Sequence, residues 1–131
     1  MDDCDPKYPL IIIEGEPDKL VLDECGIKNA TSIPSGTQDF TWIDECWDWM
    51  EQFKEIIIWG DNDTAGKAFQ QEVLARLDDW KLRVVKSEYK DANELFHYKT
   101  LDHGKDKAKE IVREHIEKAE LIQREYITIL S

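Results

Sequence analysis

Four short apolar segments separated by stretches of helical periodicity predict an α/β fold, a four-stranded parallel sheet flanked by helices with a long C-terminal helix. Two observations support that class. The first and third segments, around residues 11–13 and 56–59, are continuously apolar rather than alternating, as strands covered on both faces require. Each also runs directly into glycine and acid, Glu14-Gly15 in one case and Gly60-Asp61-Asn62-Asp63 in the other. Polar chemistry is thereby collected at one end of the sheet.

Taken in order, residues 9–13 form the first strand. Pro17 suits the opening of a helix whose apolar face is Leu20, Val21, Leu22 and Cys25, and Gly26 is placed to end it. Residues 29–33 make a weaker second strand, closed by Pro34-Ser35-Gly36. Over 41–53, Trp42, Cys46, Trp49 and Phe53 recur at helical spacing and define one face. The third strand, 55–59, leads into a helix over 64–79 with Ala65, Ala68, Phe69, Val73 and Leu77 inward, and 82–85 supplies the fourth strand. Asp91 opens a short helix with Glu94 at capping-box spacing. A long amphipathic helix follows over 102–124, with Ala108, Ile111, Val112, Ile116, Ala119 and Ile122 on its apolar side, and the β-prone tail at 126–130 is either an edge strand or the start of a linker.

The 131 residues fit one domain, with a core over about 9–100 and a helical extension over 102–131. A formal charge of −12 opposes nonspecific adhesion to nucleic acid, so any such partner needs help, as from divalent cations at a carboxylate cluster or from a basic neighbouring domain. No apolar run approaches the roughly 20 residues needed to span a bilayer, which predicts no membrane partner and a cytoplasmic location. Cys4, Cys25 and Cys46 form neither a CxxC pair nor an even disulfide framework, and are read as reduced thiols without zinc.

Glu14 ends the first strand, Asp61 and Asp63 follow the third, and Asp91 follows the fourth. In open α/β sheets ligands bind at the strand C-termini beside the topological switch point. With strand order 2-1-3-4 these carboxylates come within reach of one another, and alternate spacing lets Asp61 and Asp63 aim at one point while Asn62 turns away. Gly60 and Gly66 admit close backbone approach. So concentrated a cluster is self-repelling unless hard divalent cations, Mg²⁺ or Mn²⁺, neutralise it; zinc would want Cys or His. Aspartate after a strand is common for turn reasons alone. The reading therefore rests on Glu14 and Asp91 joining the pair.

"EGEPDKL", "DNDTAGKAF" and "KDANELF" together resemble the TOPRIM domain of DNA primases, most closely the phage-type primases and primase-helicases, over residues 9–96. The resemblance implies a Rossmann-like TOPRIM fold and Mg²⁺-dependent nucleotidyl transfer making RNA primers on single-stranded DNA. It places Glu14, Asp61 and Asp63 in catalysis, and makes Glu14, Asp61, Asp63 and Asp91 the ligands of one or two Mg²⁺ or Mn²⁺ ions. Gly15, Gly66 and Lys67 are implied at the substrate, with Lys67 facing phosphate. Asp18 matches the family's signature aspartate, and its place in the first helical turn also complements the helix dipole. The implied partners are template DNA, nucleoside triphosphates, and a helicase or zinc-binding domain outside this chain, which itself holds no CxxC, basic arm or GxxxxGK[ST].

The alternatives are a TOPRIM metal-dependent nuclease, a noncatalytic metal- or nucleotide-binding module of a replication assembly, and a phosphoacceptor receiver. The last leaves Glu14-Gly15 unexplained. The tryptophans are read as core, and His97, His103 and His115 are assigned no role.

Overall fold

The computed structural model describes residues 4–33, 40–77 and 81–121 of the chain. Along them run β1 (Leu10–Glu14), α1 (Glu16–Glu24), β2 (Ala30–Ile33), α2 (Thr41–Glu45), α3 (Trp47–Met50), β3 (Glu55–Trp59), α4 (Thr64–Arg76), β4 (Lys81–Val84), α5 (Ala92–His103), α6 (Lys105–Glu117) and β5 (Glu120–Leu121). The sheet order is β2-β1-β3-β4-β5. The first four strands are parallel, in the predicted order, and the two-residue β5 adds an antiparallel edge against Arg83 and Val84.

The apolar runs of β1 and β3 are buried on both sides. Leu10, Ile12, Ile56 and Ile58 face one core with Ile43, Met50, Phe53, Phe69 and Val73, beneath α2, α3 and α4. Their alternates Ile11, Ile13, Ile57 and Trp59 face the other with Val21, Leu22, Leu95 and Val112, beneath α1, α5 and α6. A period of two distributes these side chains to opposite layers, which is why the strands are uniformly apolar. Together the two cores make a three-layer sandwich.

Because β1 leads to β2 on one side while β3 leads to β4 on the other, the direction of winding reverses between β1 and β3. A crevice opens at such a point. Register brings Ile13 opposite Trp59, so Glu14 ends next to Gly60.

Helix boundaries differ from the periodicity reading in three places. The 41–53 segment is two short helices meeting at Cys46, although Trp42, Cys46 and Trp49 still pack on the core and Phe53 is buried within it. The helix over 64–79 ends at Arg76, with Leu77 as its cap. The boundary between the helix opened by Asp91 and the long helix falls at Gly104 rather than at 102, and α6 stops at Glu117 rather than near 124. Gly104 has a φ of 88°, a left-handed value that a side chain resists, and the polar stretch 102–107 around it carries no apolar residue to mark the exact position. Ile122, the 126–130 tail and the Pro34-Ser35-Gly36 turn lie outside the described residues.

The three cysteines are free thiols, and burial pushes Cys25 up to about 11. Among the described residues no helix is long and apolar enough to cross a membrane.

Candidate metal and catalytic site

The sheet's C-terminal end is built from three segments. β1 delivers Glu14, only 6% exposed, and Gly15 caps the helix that follows. One turn into α1, Asp18 is 5% exposed, and its Oδ1 accepts the backbone N–H of Asn93 at 2.9 Å. β3 delivers Asp61, whose backbone N–H lies 3.4 Å from Glu14 Oε1. The loop after β4 delivers Asp91, which caps α5 by accepting from Glu94 N at 2.8 Å.

One carboxylate oxygen from each of Asp18, Asp61 and Asp91 lies within 4.8 Å of the other two. Asp61 Oδ1 is fully buried and has no hydrogen-bond partner. A buried, unpaired carboxylate oxygen in a group of three anions is costly alone, and is the arrangement that a hard cation satisfies. The three-oxygen donor set fits Mg²⁺ or Mn²⁺ chemistry.

The electrostatics agree with the geometry. Burial, then the charges of Asp91, Asp61 and Glu14, push Asp18 up from 3.8 to about 7, against the opposing hydrogen bond from Asn93. Burial followed by the neighbouring Asp61 and Asp63 charges raises Glu14 from 4.5 to about 7. Asp61 rises from 3.8 to about 6, through burial and then Asp91 and Asp63. These acids hold protons near neutrality that isolated carboxyls would have lost.

The structure thus brings together Glu14, Asp61 and Asp91, and adds Asp18 to the group. Asp63 is turned differently: its carboxylate accepts Gly66 N at 2.6 Å as the N-cap of α4, outside the three-acid group. A cap satisfies one of the helix's first free N–H groups and fixes where the helix starts, so the local demand orients the side chain. From sequence, Asp18 matches the signature aspartate of "EGEPD" and also suits the helix dipole, and it was not placed among the metal ligands. Its burial beneath α5 beside Asp61 and Asp91 is a tertiary fact that separates the two readings.

Asn62 does turn from the cluster. Its backbone N–H donates to Lys90 O at 2.5 Å and its side chain donates to Ser87 O at 3.1 Å, tying the β3 turn to the loop that carries Asp91. At Gly66 an added Cβ would stand 2.1 Å from the Asp61 carbonyl oxygen. Here the glycine lets α4 close against the Asp61 turn, a structural need met within the chain. Lys67 is exposed and lines a cavity of about 410 Å³ with Asp61, Gln70, Lys86 and Tyr89. Gly15 lies beside Asp18, with the Asp18 carboxylate 3.9 Å from where its Cβ would be.

A parallel α/β sheet with clustered acids at its switch point is the architecture of a TOPRIM domain. Residues 11–96 match the Toprim-like family, and the chain belongs to it. A primase homolog protein of Arabidopsis thaliana is 32% identical, the match covering 72% of this chain and 35% of that one. The Twinkle homolog protein, chloroplastic/mitochondrial, of the same plant is 31% identical over 72% of this chain and 16% of its own. The chain thus spans about a third or less of these curated relatives. Among solved structures, the Aquifex aeolicus primase, comprising zinc-binding and RNA polymerase domains, superposes with a TM-score of 0.67 at 21% identity, covering 88% of this chain and 27% of that one. The primase fragment of the bacteriophage T7 primase-helicase gives 0.59 at 25% identity, covering 83% and 43%. These likenesses show the shared fold.

Proposed function

We propose that this chain is the catalytic domain of a DNA primase, joining ribonucleotides into RNA primers on single-stranded DNA with Mg²⁺ as cofactor. The observation that carries the reading is the meeting of Asp18, Asp61 and Asp91 at the switch point of a Toprim-like sheet, where Asp61 Oδ1 is buried and unsatisfied. Asp18, Asp61 and Asp91 would hold one or two divalent ions. When bound, such ions supply positive charge to the attacking and leaving oxygens of a phosphoryl transfer.

Glu14 is the general base in this reading. Raised to about 7, its carboxylate can take the proton of an attacking 3′-hydroxyl near its own pKa, where proton exchange is most effective. Asp63 acts through position, because its cap on α4 sets the turn that presents Asp61. Helicase and zinc-binding functions are assigned to segments beyond the matched domain, in keeping with the small share of the relatives that it spans.

The test is primer synthesis by the intact protein carrying Asp61→Ala. Unchanged primer yield would sink the proposal. Cleavage of labelled DNA or RNA by the chain with Mn²⁺, lost in Glu14→Gln, would replace it with a metal-dependent nuclease on the same residues.

A further inference from the structure

The loop from β4 to α5 carries a feature that neither the core nor the acid cluster accounts for. Tyr89 is half-buried against the second core, and the ring of Tyr98, on α5, stacks on it with centroids 5.7 Å apart at 23°. Tyr98 nevertheless remains 47% exposed. The His97 ring also meets Tyr98 edge-on, with centroids 5.3 Å apart at 70°, and an exposed ring layered on an anchored one is a platform on which a planar ligand can stack.

The surroundings carry both signs, with Glu88 beside Tyr89 and Glu94 and Asp102 one turn either side of Tyr98, but lysines gather on the cavity side of the stack. Lys99 Nζ lies 5.7 Å from the Tyr89 ring centroid, and Lys90 is the next residue along the chain. Tyr89 is also a wall of the 410 Å³ cavity beside Asp61, into whose lining Lys67 and Lys86 enter together with the amides of Gln70 and Gln71. Among the described residues Asp61 is the only acid in that lining. Lys86 is engaged by Glu120 at 2.8 Å, but both partners are largely exposed, and such pairs yield readily to a competing anion.

We infer that the Tyr89–Tyr98 stack and the adjoining lysine-lined cavity form a binding track for single-stranded nucleic acid, with a base on Tyr98 and backbone phosphate at Lys67 and Lys86. This inference rests on the polymerising role proposed above, and adds a strand-holding surface within the domain itself. Aromatic platforms flanked by cations hold strands with little sequence preference, since every base has a π-face and every linkage a phosphate. Because the cavity begins at Asp61, a strand lying in it would enter the acid cluster from the β4 side.

The test is fluorescence anisotropy of a labelled oligothymidylate, about 12 nucleotides long, titrated with the chain in millimolar Mg²⁺. Calorimetric titration with Mn²⁺ runs in parallel to report the acid cluster alone. Tyr98→Ala is expected to weaken oligonucleotide binding about tenfold, and Tyr98→Phe to preserve it, with Mn²⁺ binding unchanged in both. Lys67→Ala and Lys86→Ala should each lower the slope of log affinity against log salt by about 0.7. Inorganic tripolyphosphate competing as well as the oligonucleotide would overturn the base-stacking assignment. Equal affinity in Tyr98→Ala would overturn it too, as would a Tyr98→Ala variant altered only in self-association, which would make the patch a protein interface. Failure of Mn²⁺ to bind the wild-type chain would instead strike the metal reading.

Discussion

Removing divalent cations should make this protein less stable as pH rises from 5 to 8, and Asp18 is the main cause. Its carboxyl is raised from 3.8 to about 7 in the folded chain. The fold therefore favours the protonated form: the associated stability is complete below the unfolded value near 4 and is lost as pH climbs through 7, where a buried anion must be carried. At about 1.4 kcal/mol per unit, the shift corresponds to a loss on the order of 4 kcal/mol by pH 8. Salt and water at the half-exposed Asp61 and Asp91 rim bring the expected figure to about 2 kcal/mol. That is a large share of the 5–15 kcal/mol typical of a domain. Urea unfolding in EDTA should show a midpoint about 1 M lower at pH 8 than at pH 5. Millimolar Mg²⁺ should restore most of the loss at pH 8 and do little at pH 5, because protons and the cation neutralise the same oxygens. Asp18→Asn keeps an acceptor for Asn93 N and should make the EDTA profile shallower, leaving the slope that the raised Glu14 and Asp61 contribute. A profile already level in the wild-type chain, or Mg²⁺ stabilising equally at both pH values, would refute the reasoning.

Other substitutions separate the roles of the acids. Asp61→Asn should reduce Mn²⁺ affinity by at least tenfold in calorimetry, while Asp63→Ala should cost about 1 kcal/mol of unfolding free energy through the lost cap and spare more of the metal binding. Gly66→Ala drives a methyl into the Asp61 carbonyl, 2.1 Å away, and should cost at least about 2 kcal/mol, read as a lower melting temperature together with weakened Mn²⁺ binding. Gly104→Ala should cost about 1 kcal/mol by straining the α5–α6 bend, with Mn²⁺ affinity unaltered. If the proposed activity holds, Glu14→Gln should abolish the limb of its pH profile near 7 in the intact protein while leaving Mn²⁺ binding measurable.

The sheet was legible because its strands are buried twice. Runs such as Ile56–Ile57–Ile58–Trp59 have few other uses in a chain this polar, and the glycines and acids after them marked the active end. Asp91 was legible for a local reason, its spacing to Glu94, and the structure has it serving cap and cluster at once. Asp18 and Asp63 show where sequence reading stops. Both stand in the first turn region of a helix and both have ordinary local explanations; which of them turns inward is decided by α5 lying over α1 and by the Gly66 amide lying under Asp63. Those are contacts across the fold, and periodicity does not contain them. The break between the last two helices was legible to within two residues, and only its exact seat at Gly104 was not, because the polar stretch 102–107 has no apolar periodicity to place it.

Asp18, Asp61 and Asp91 come from the first crossover helix, the central turn and the last loop before the closing helices. A single ion held among them would act as a removable cross-link spanning most of the domain, much as a disulfide does, but one that a chelator can open without chemistry. Fluctuations that lift α1, the β3 turn or α5 would each have to break the same tie. The three segments would then open together rather than singly, and the effect would register chiefly as slower unfolding. Cation supply would in that way set how long the domain survives as well as whether it can work.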